Sequence, residues 1–172
     1  LDHLVQAIKF DGQSALAAPL GRLMARAAVR ACPAGTHHGA DAIVPIPMAA
    51  ARLSRRGYNQ ALLLARPIAR ALGLPIAPTW LRRVREGAPA SSLDAGERHG
   101  MLARAFVAQR VTPGASVLVV DDVMTTGATL QAAAIALKAA GAAVVVNCVA
   151  ARTPNPGPPV ARRPALASEP EC

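Results

Sequence analysis

Aromatic side chains are scarce in this chain of 172 residues, with one Trp, one Tyr and two Phe. A ligand grip built on stacked rings is therefore disfavoured, and the 52% hydrophobic content, mostly Ala, Val and Leu, predicts a closely packed aliphatic core. Cysteine is equally sparse. Cys32, Cys148 and Cys172 stand far apart with no C-x-x-C, which excludes a disulfide framework and a zinc site built from this chain alone. A reducing, cytoplasmic setting is expected. No apolar run approaches the roughly 18 residues of a membrane-spanning helix, and residues 1–10, LDHLVQAIKF, do not follow a signal-peptide plan. The first residue is Leu1, so a segment upstream of it is expected. Two common phosphate loops are missing as well, since the chain has neither G-x-G nor G-K-[ST].

Acids are few and unevenly placed. Ten face 19 basic residues, giving a net charge of +9, and the basic set is almost entirely arginine, whose planar fork suits phosphate better than the point charge of lysine. Between Asp41 and Glu86 there is no acid, whereas Arg52, Arg55, Arg56, Arg66, Arg70, Arg82, Arg83 and Arg85 all fall there. Anionic partners are favoured, although solvated helix faces explain such a run equally well.

The length suits one domain, at residues 1–152, with a tail. Residues 1–10 and 15–31 have helical spacing and are separated by Asp11-Gly12, so two short helices are expected as a small N-terminal hood. AIVPIP (42–47) reads as a buried strand stopped by Pro45 and Pro47, followed by a basic loop, RLSRRGYNQ, and a helix over 60–72. A further strand lies at 79–84, and residues 85–100 lack periodicity and read as a mobile lid. SVLVVD (116–121) is a continuous apolar strand, DVMTTG a turn, and ATLQAAAIALKAAG a helix closed by Gly141 at its C′ position. AAVVVNCVA (142–150) is the next strand. This βαβ unit, rich in Val, predicts an α/β fold with a parallel twisted sheet covered on both faces. Residues 153–172 hold six prolines and are expected to be disordered.

The chemistry concentrates at 117–130, VLVVDDVMTTGATL. Ligands of open α/β sheets bind where strands end and turns lead into helices. Asp121 and Asp122 stand at that end, and two adjacent carboxylates repel one another unless a partner is supplied. A ribose diol is a suitable partner, and so is a magnesium-bound sugar phosphate. Thr125, Thr126, Gly127, Ala128 and Thr129 then offer hydroxyls, backbone N–H groups and close approach, with the positive end of a helix behind them. The string thus specifies both halves of a pentose phosphate. A plain strand with turn-forming Asp residues and an N-capping Thr would account for only part of it.

This string resembles the phosphoribosyl pyrophosphate (PRPP) signature of the type I phosphoribosyltransferases. The resemblance implies that Asp121 and Asp122 hold the ribose hydroxyls and act at the catalytic centre, that residues 125–129 wrap the 5-phosphate, and that Mg2+ accompanies PRPP. The 6-oxopurine salvage enzymes carry an acid where this chain has Thr125, which disfavours hypoxanthine or guanine as acceptor. The order of AIKFDG, VPIPMAAARLSRRGYNQALLLA (44–65), REGAPASSLDAGERHGMLARAF (85–106) and the PRPP loop resembles the ComF family, competence-associated phosphoribosyltransferase-like proteins, over about residues 1–152. RGYNQ (56–60) with the upstream P-x-P is its more specific part. The family's usual N-terminal four-cysteine zinc module has no counterpart here, and its Gln and Asn in the 90–101 region are replaced near Ser91 and at Met101.

Arg55, Arg56, Gly57, Asn59 and Gln60 are expected to form a pyrophosphate loop, since a leaving pyrophosphate needs preorganised donors. The pair Arg55 and Arg56 taken alone also fits a solvated surface. His37 and His38, in a Gly-rich turn, read as solvent-facing rather than as a metal pair, and Arg98 and His99 fit either closure over substrate or an ordinary loop. The expected activity is transfer of a phosphoribosyl group to an unidentified acceptor, linked through the family to DNA uptake. The rival expectations are a nucleotide sensor without turnover and a single-stranded-DNA-binding factor. A homodimer is left open.

Overall fold

The computed structural model describes residues 16–31, 39–84 and 105–153. The expected helix at 1–10, the His37-His38 turn, the lid at 85–100 with Arg98 and His99, and the Pro-rich tail beyond Thr153 lie outside the described residues. The elements are α1 (Ala17–Ala31), β1 (Ala42–Pro45), α2 (Ala50–Arg56), α3 (Gln60–Leu72), β2 (Leu81–Arg83), β3 (Phe106–Ala108), β4 (Ser116–Met124), α4 (Ala128–Ala139) and β5 (Val144–Arg152).

β4 is the centre of a parallel sheet of order β1-β4-β5. Its side chains alternate with the two-residue period of a strand. Val117 and Val119 join one buried cluster with Leu130, Ala133 and Leu137 of α4 and with Leu81 and Phe106. Leu118 and Val120 join the other, with Leu64 and Ile68 of α3 and with Leu20 and Met24 of α1. The sheet is therefore covered on both faces, as its continuous apolar strands require. The described part of the expected N-terminal hood, α1, is a layer of this sandwich. It lies on α3 so closely that Gly21 leaves no space for a Cβ, which would stand 2.2 Å from Pro67 Cγ.

Three expectations are corrected. The basic segment after β1 is not all loop, because its high-propensity residues form α2, closed by Gly57 in the left-handed region at φ 78° with its N–H donating to Leu53 O. The β4 strand continues past residue 121, because Asp121, Val123 and Met124 pair with Val149, Ala151 and Arg152. The strand expected at 79–84 is shorter, β2 at Leu81–Arg83, and it pairs antiparallel with β3 in a two-stranded ribbon that packs on α4. Among the described residues no helix is long and apolar enough to cross a membrane.

Candidate active site

Two concavities meet at the carboxyl end of β4. The first is a cleft of about 190 Å³ between the end of β1, the start of α3 and the aspartate pair. The second, about 30 Å³, is lined by residues 123–130 and Asp121, more than a single water requires. Asp121 and Thr129 line both. A ligand with a ring between two anionic groups would thus pass directly over the carboxylates.

Local backbone chemistry builds the small cavity. Gly127, at φ 80°, turns the chain into α4 and serves as its N-cap without a side-chain cap. The helical ladder starts at Gln131 N–H to Gly127 O, 2.9 Å, so the first-turn N–H groups point into the loop. Thr126 Oγ1 accepts from Ala128 N–H at 3.4 Å, and Thr125 and Thr126 are exposed while Thr129 is half-buried. The outer edge is tied to the sheet by Thr153 N–H to Met124 O, 3.0 Å. Asp121 and Asp122 are half-buried. Asp121 Oδ1 accepts from Asp122 N–H and Asp122 Oδ1 from Val123 N–H, both at 2.8 Å. These bonds fix the two carboxyl groups at the strand's end.

On the other side of the aspartates, the structure redistributes the expected pyrophosphate residues. Arg56 lines the cleft and Arg55 does not. The helical form of α2 explains this, because residues four apart share a face while neighbours diverge by about 100°. The partner of Arg56 is therefore Arg52, which also lines the cleft. Gly57 shapes the turn by closing α2. Asn59 commits its amide to the backbone, with Oδ1 accepting from Ala61 N–H at 2.9 Å and from Leu62 N–H at 3.5 Å, and Nδ2 donating to Ile46 O at 3.0 Å. It caps α3 and holds the Ile46–Pro47–Met48 wall in place. Gln60 is buried at the floor, 2% exposed. Sequence reasoning missed Arg52, whose signal was the i, i+4 spacing to Arg56, and Arg83, which reaches the cleft from β2 with its guanidinium 5.1 Å from the Phe106 ring centre. No local signal marks Arg83.

A parallel sheet covered by helices, with an acidic strand end and a Thr/Gly loop entering a helix, is the arrangement of a phosphoribosyltransferase-type fold. Residues 58–162 match the phosphoribosyl transferase domain family. The chain belongs to that family, within it to the ComF-like group that includes competence protein F and DNA utilization protein YhgH. It is 37% identical over 145 residues to DNA utilization protein YhgH of Salmonella typhimurium, covering 84% of this chain and 64% of the relative. With competence protein F of Haemophilus influenzae it shares 36% identity over 134 residues, 76% of this chain and 58% of the relative. The chain thus spans about 64% of the length of the Salmonella relative it matches. The fold also matches glutamine PRPP amidotransferase from B. subtilis, complexed with ADP and GMP, at a TM-score of 0.51 and 20% identity over 78% of this chain and 26% of the other.

Proposed function

We propose that this domain binds PRPP, or a ribonucleoside 5-phosphate, and transfers the phosphoribosyl group to an acceptor. The supporting observation is that Asp121 lines both the small cavity of the 123–130 loop and the arginine-lined cleft, with Asp122 beside it in the cleft. In this reading the 125–129 loop takes the 5-phosphate with backbone N–H groups and threonine hydroxyls. Asp121 and Asp122 accept from the ribose hydroxyls and favour positive charge as it develops on the ring. Arg52 and Arg56 hold the departing pyrophosphate, whose charge grows as the bond to the anomeric carbon breaks.

Two carboxylates with no third ligand fit Mg2+, which commonly binds one or two carboxylates together with substrate phosphates and water. Among the described residues no cluster of three or more His, Cys, Asp or Glu forms a separate metal cage. When bound, Mg2+ would neutralise part of the pyrophosphate charge.

The test is titration calorimetry of PRPP with Mg2+ on the wild type and on Asp121→Asn/Asp122→Asn, with thermal melts to confirm folding. Micromolar binding lost in the double variant supports the reading, and no binding by a folded wild type sinks it. Release of pyrophosphate on adding an acceptor then separates a transferase from a nucleotide sensor.

A second reading, single-stranded DNA binding, draws on a different surface. Arg22, Arg26 and Arg30 repeat every four residues along α1, and Arg66 and Arg70 do so on the adjoining α3. All five are exposed, and neither helix contains an acid. With few aromatics the binding would rest on phosphate neutralisation and fall steeply with salt. Arg22→Glu/Arg26→Glu should abolish it while leaving PRPP binding intact; unchanged DNA binding would remove this reading.

A further inference from the structure

α1 and α3 cover one face of the sheet, and between their carboxyl-terminal halves lies a groove of about 520 Å³ that shares no residue with the two cavities at the end of β4. The contact of Gly21 with Pro67, too close for a Cβ, holds the two helices side by side. The floor of the groove is aliphatic, for Ala25 is buried, Leu72 is half-buried and Val29 remains 41% exposed. Its rim is cationic, with Arg22, Arg26 and Arg30 all exposed. Residues four apart share a helix face, and four residues rise about 6 Å, so the three guanidinium groups form a row beside the aliphatic strip. No acid lines the groove and neither helix contains one. Like charges at this spacing weaken a helix slightly. The negative end of the α1 dipole explains Arg30 in the last turn, but not Arg22 near the start.

We propose that this groove docks an acidic amphipathic helix of a partner protein, with aliphatic side chains on Ala25, Val29 and Leu72 and carboxylates on Arg22, Arg26 and Arg30. Charge complementarity supports the acidic half, because the arginine fork takes a carboxylate with two parallel hydrogen bonds. The aliphatic strip supports the other half. A nucleic-acid backbone would neutralise the same arginines, but it would gain little from a floor that offers no aromatic ring for a base to stack on. A partner helix repeats its side chains at the pitch of α1, so acids four apart meet arginines four apart, with leucines at the neighbouring i+3 positions over the strip. The inference is independent of the pentose-phosphate reading. It gives the α1–α3 face a protein ligand, where the DNA reading uses the arginines alone.

The experiment is fluorescence anisotropy on the full chain with three labelled probes. The first is a helical peptide with Glu at every fourth position and Leu three residues after each, the second the same peptide with every Leu replaced by Ser, and the third an oligothymidylate of similar charge. The proteins are wild type, Arg26→Glu, Val29→Ser and, as an equal charge change away from the groove, Arg55→Glu, each with a melting curve. The leucine-bearing peptide should bind the wild type with a dissociation constant below about 100 μM, and the leucine-free peptide about 10-fold more weakly. Arg26→Glu should weaken the first peptide by about fivefold and Val29→Ser by about threefold, whereas Arg55→Glu should change it by less than about twofold. No binding of the leucine-bearing peptide by a folded wild type overturns the proposal. Equal affinity for the two peptides, or equal losses in Arg26→Glu and Arg55→Glu, makes the face an unspecific cationic surface and also overturns it. Tighter binding of the oligothymidylate, unchanged by Val29→Ser, returns the face to the DNA reading with the same consequence. The comparison of the two peptides needs only the wild type, so a variant that fails to fold does not remove the test.

Discussion

Asn59 offers a test in which a structural role and a ligand role move different measurements, the thermal midpoint and the PRPP affinity. Replacing it with Ala removes the cap of α3, a loss of about 1 kcal/mol. It also leaves Ile46 O without its side-chain donor, and Ile46 is only 6% exposed, so water replaces the bond poorly. A buried carbonyl left unsatisfied costs about 1–3 kcal/mol, and the lower part of that range applies because the bond is only part-buried. The sum is about 2–3 kcal/mol, which for a chain of this size lowers the thermal midpoint by roughly 5–10 °C. Asn59→Asp separates the two contributions. It keeps a capping oxygen of equal quality but cannot donate to Ile46 O, so its midpoint should fall between wild type and Asn59→Ala. Melting followed by circular dichroism, with and without PRPP, measures both. If Asn59→Ala melts with the wild type while PRPP affinity collapses, Asn59 is a ligand donor and the argument from its backbone bonds is wrong.

The face of α2 gives a second expectation. Arg52→Ala should weaken PRPP binding by about 10-fold or more, the scale of a lost charge-assisted hydrogen bond, whereas Arg55→Ala should change it by less than about twofold; comparable losses would refute the helical placement. Gly21→Ala should destabilise the fold by about 2 kcal/mol despite the better helix propensity of Ala, because the new Cβ meets Pro67 and Leu64 O, and an unchanged denaturant midpoint would contradict the close α1–α3 approach. Burial raises the Cys148 thiol from 9.0 to about 11. The folded state therefore holds this proton more tightly than the unfolded chain, and the associated stability is present below pH 9 and is lost as pH rises from about 9 toward 11. In a Cys32→Ser/Cys172→Ser background a thiol reagent should label Cys148 at pH 8 only as fast as the protein opens, and immediate labelling would show the thiol to be exposed.

The elements whose cause is local are legible along the chain. A Val-rich strand, two adjacent acids, a Thr/Gly turn and an Ala-rich helix follow one another between Ser116 and Ala139, and each is set by neighbours within a few residues. Strand period and apolar continuity also announced a parallel sheet covered on both faces. The remaining features depend on partners far away in the chain. β4 runs on to Met124 because β5 lies beside it, and β2 stands in a ribbon of its own because three residues of β3 pair with it antiparallel. Arg55 and Arg56 look equivalent in one dimension. Only the helical turn of α2 sends Arg56 with Arg52 to the cleft and Arg55 away from it. The division between Asn59 and Gln60 arises in the same way. Both are amides in one motif, but Ile46 O bonds the first, and among the described residues the Nε2 of the second has no hydrogen-bond partner. That distinction belongs to the three-dimensional placement of a carbonyl thirteen residues away, and no spacing along the chain encodes it.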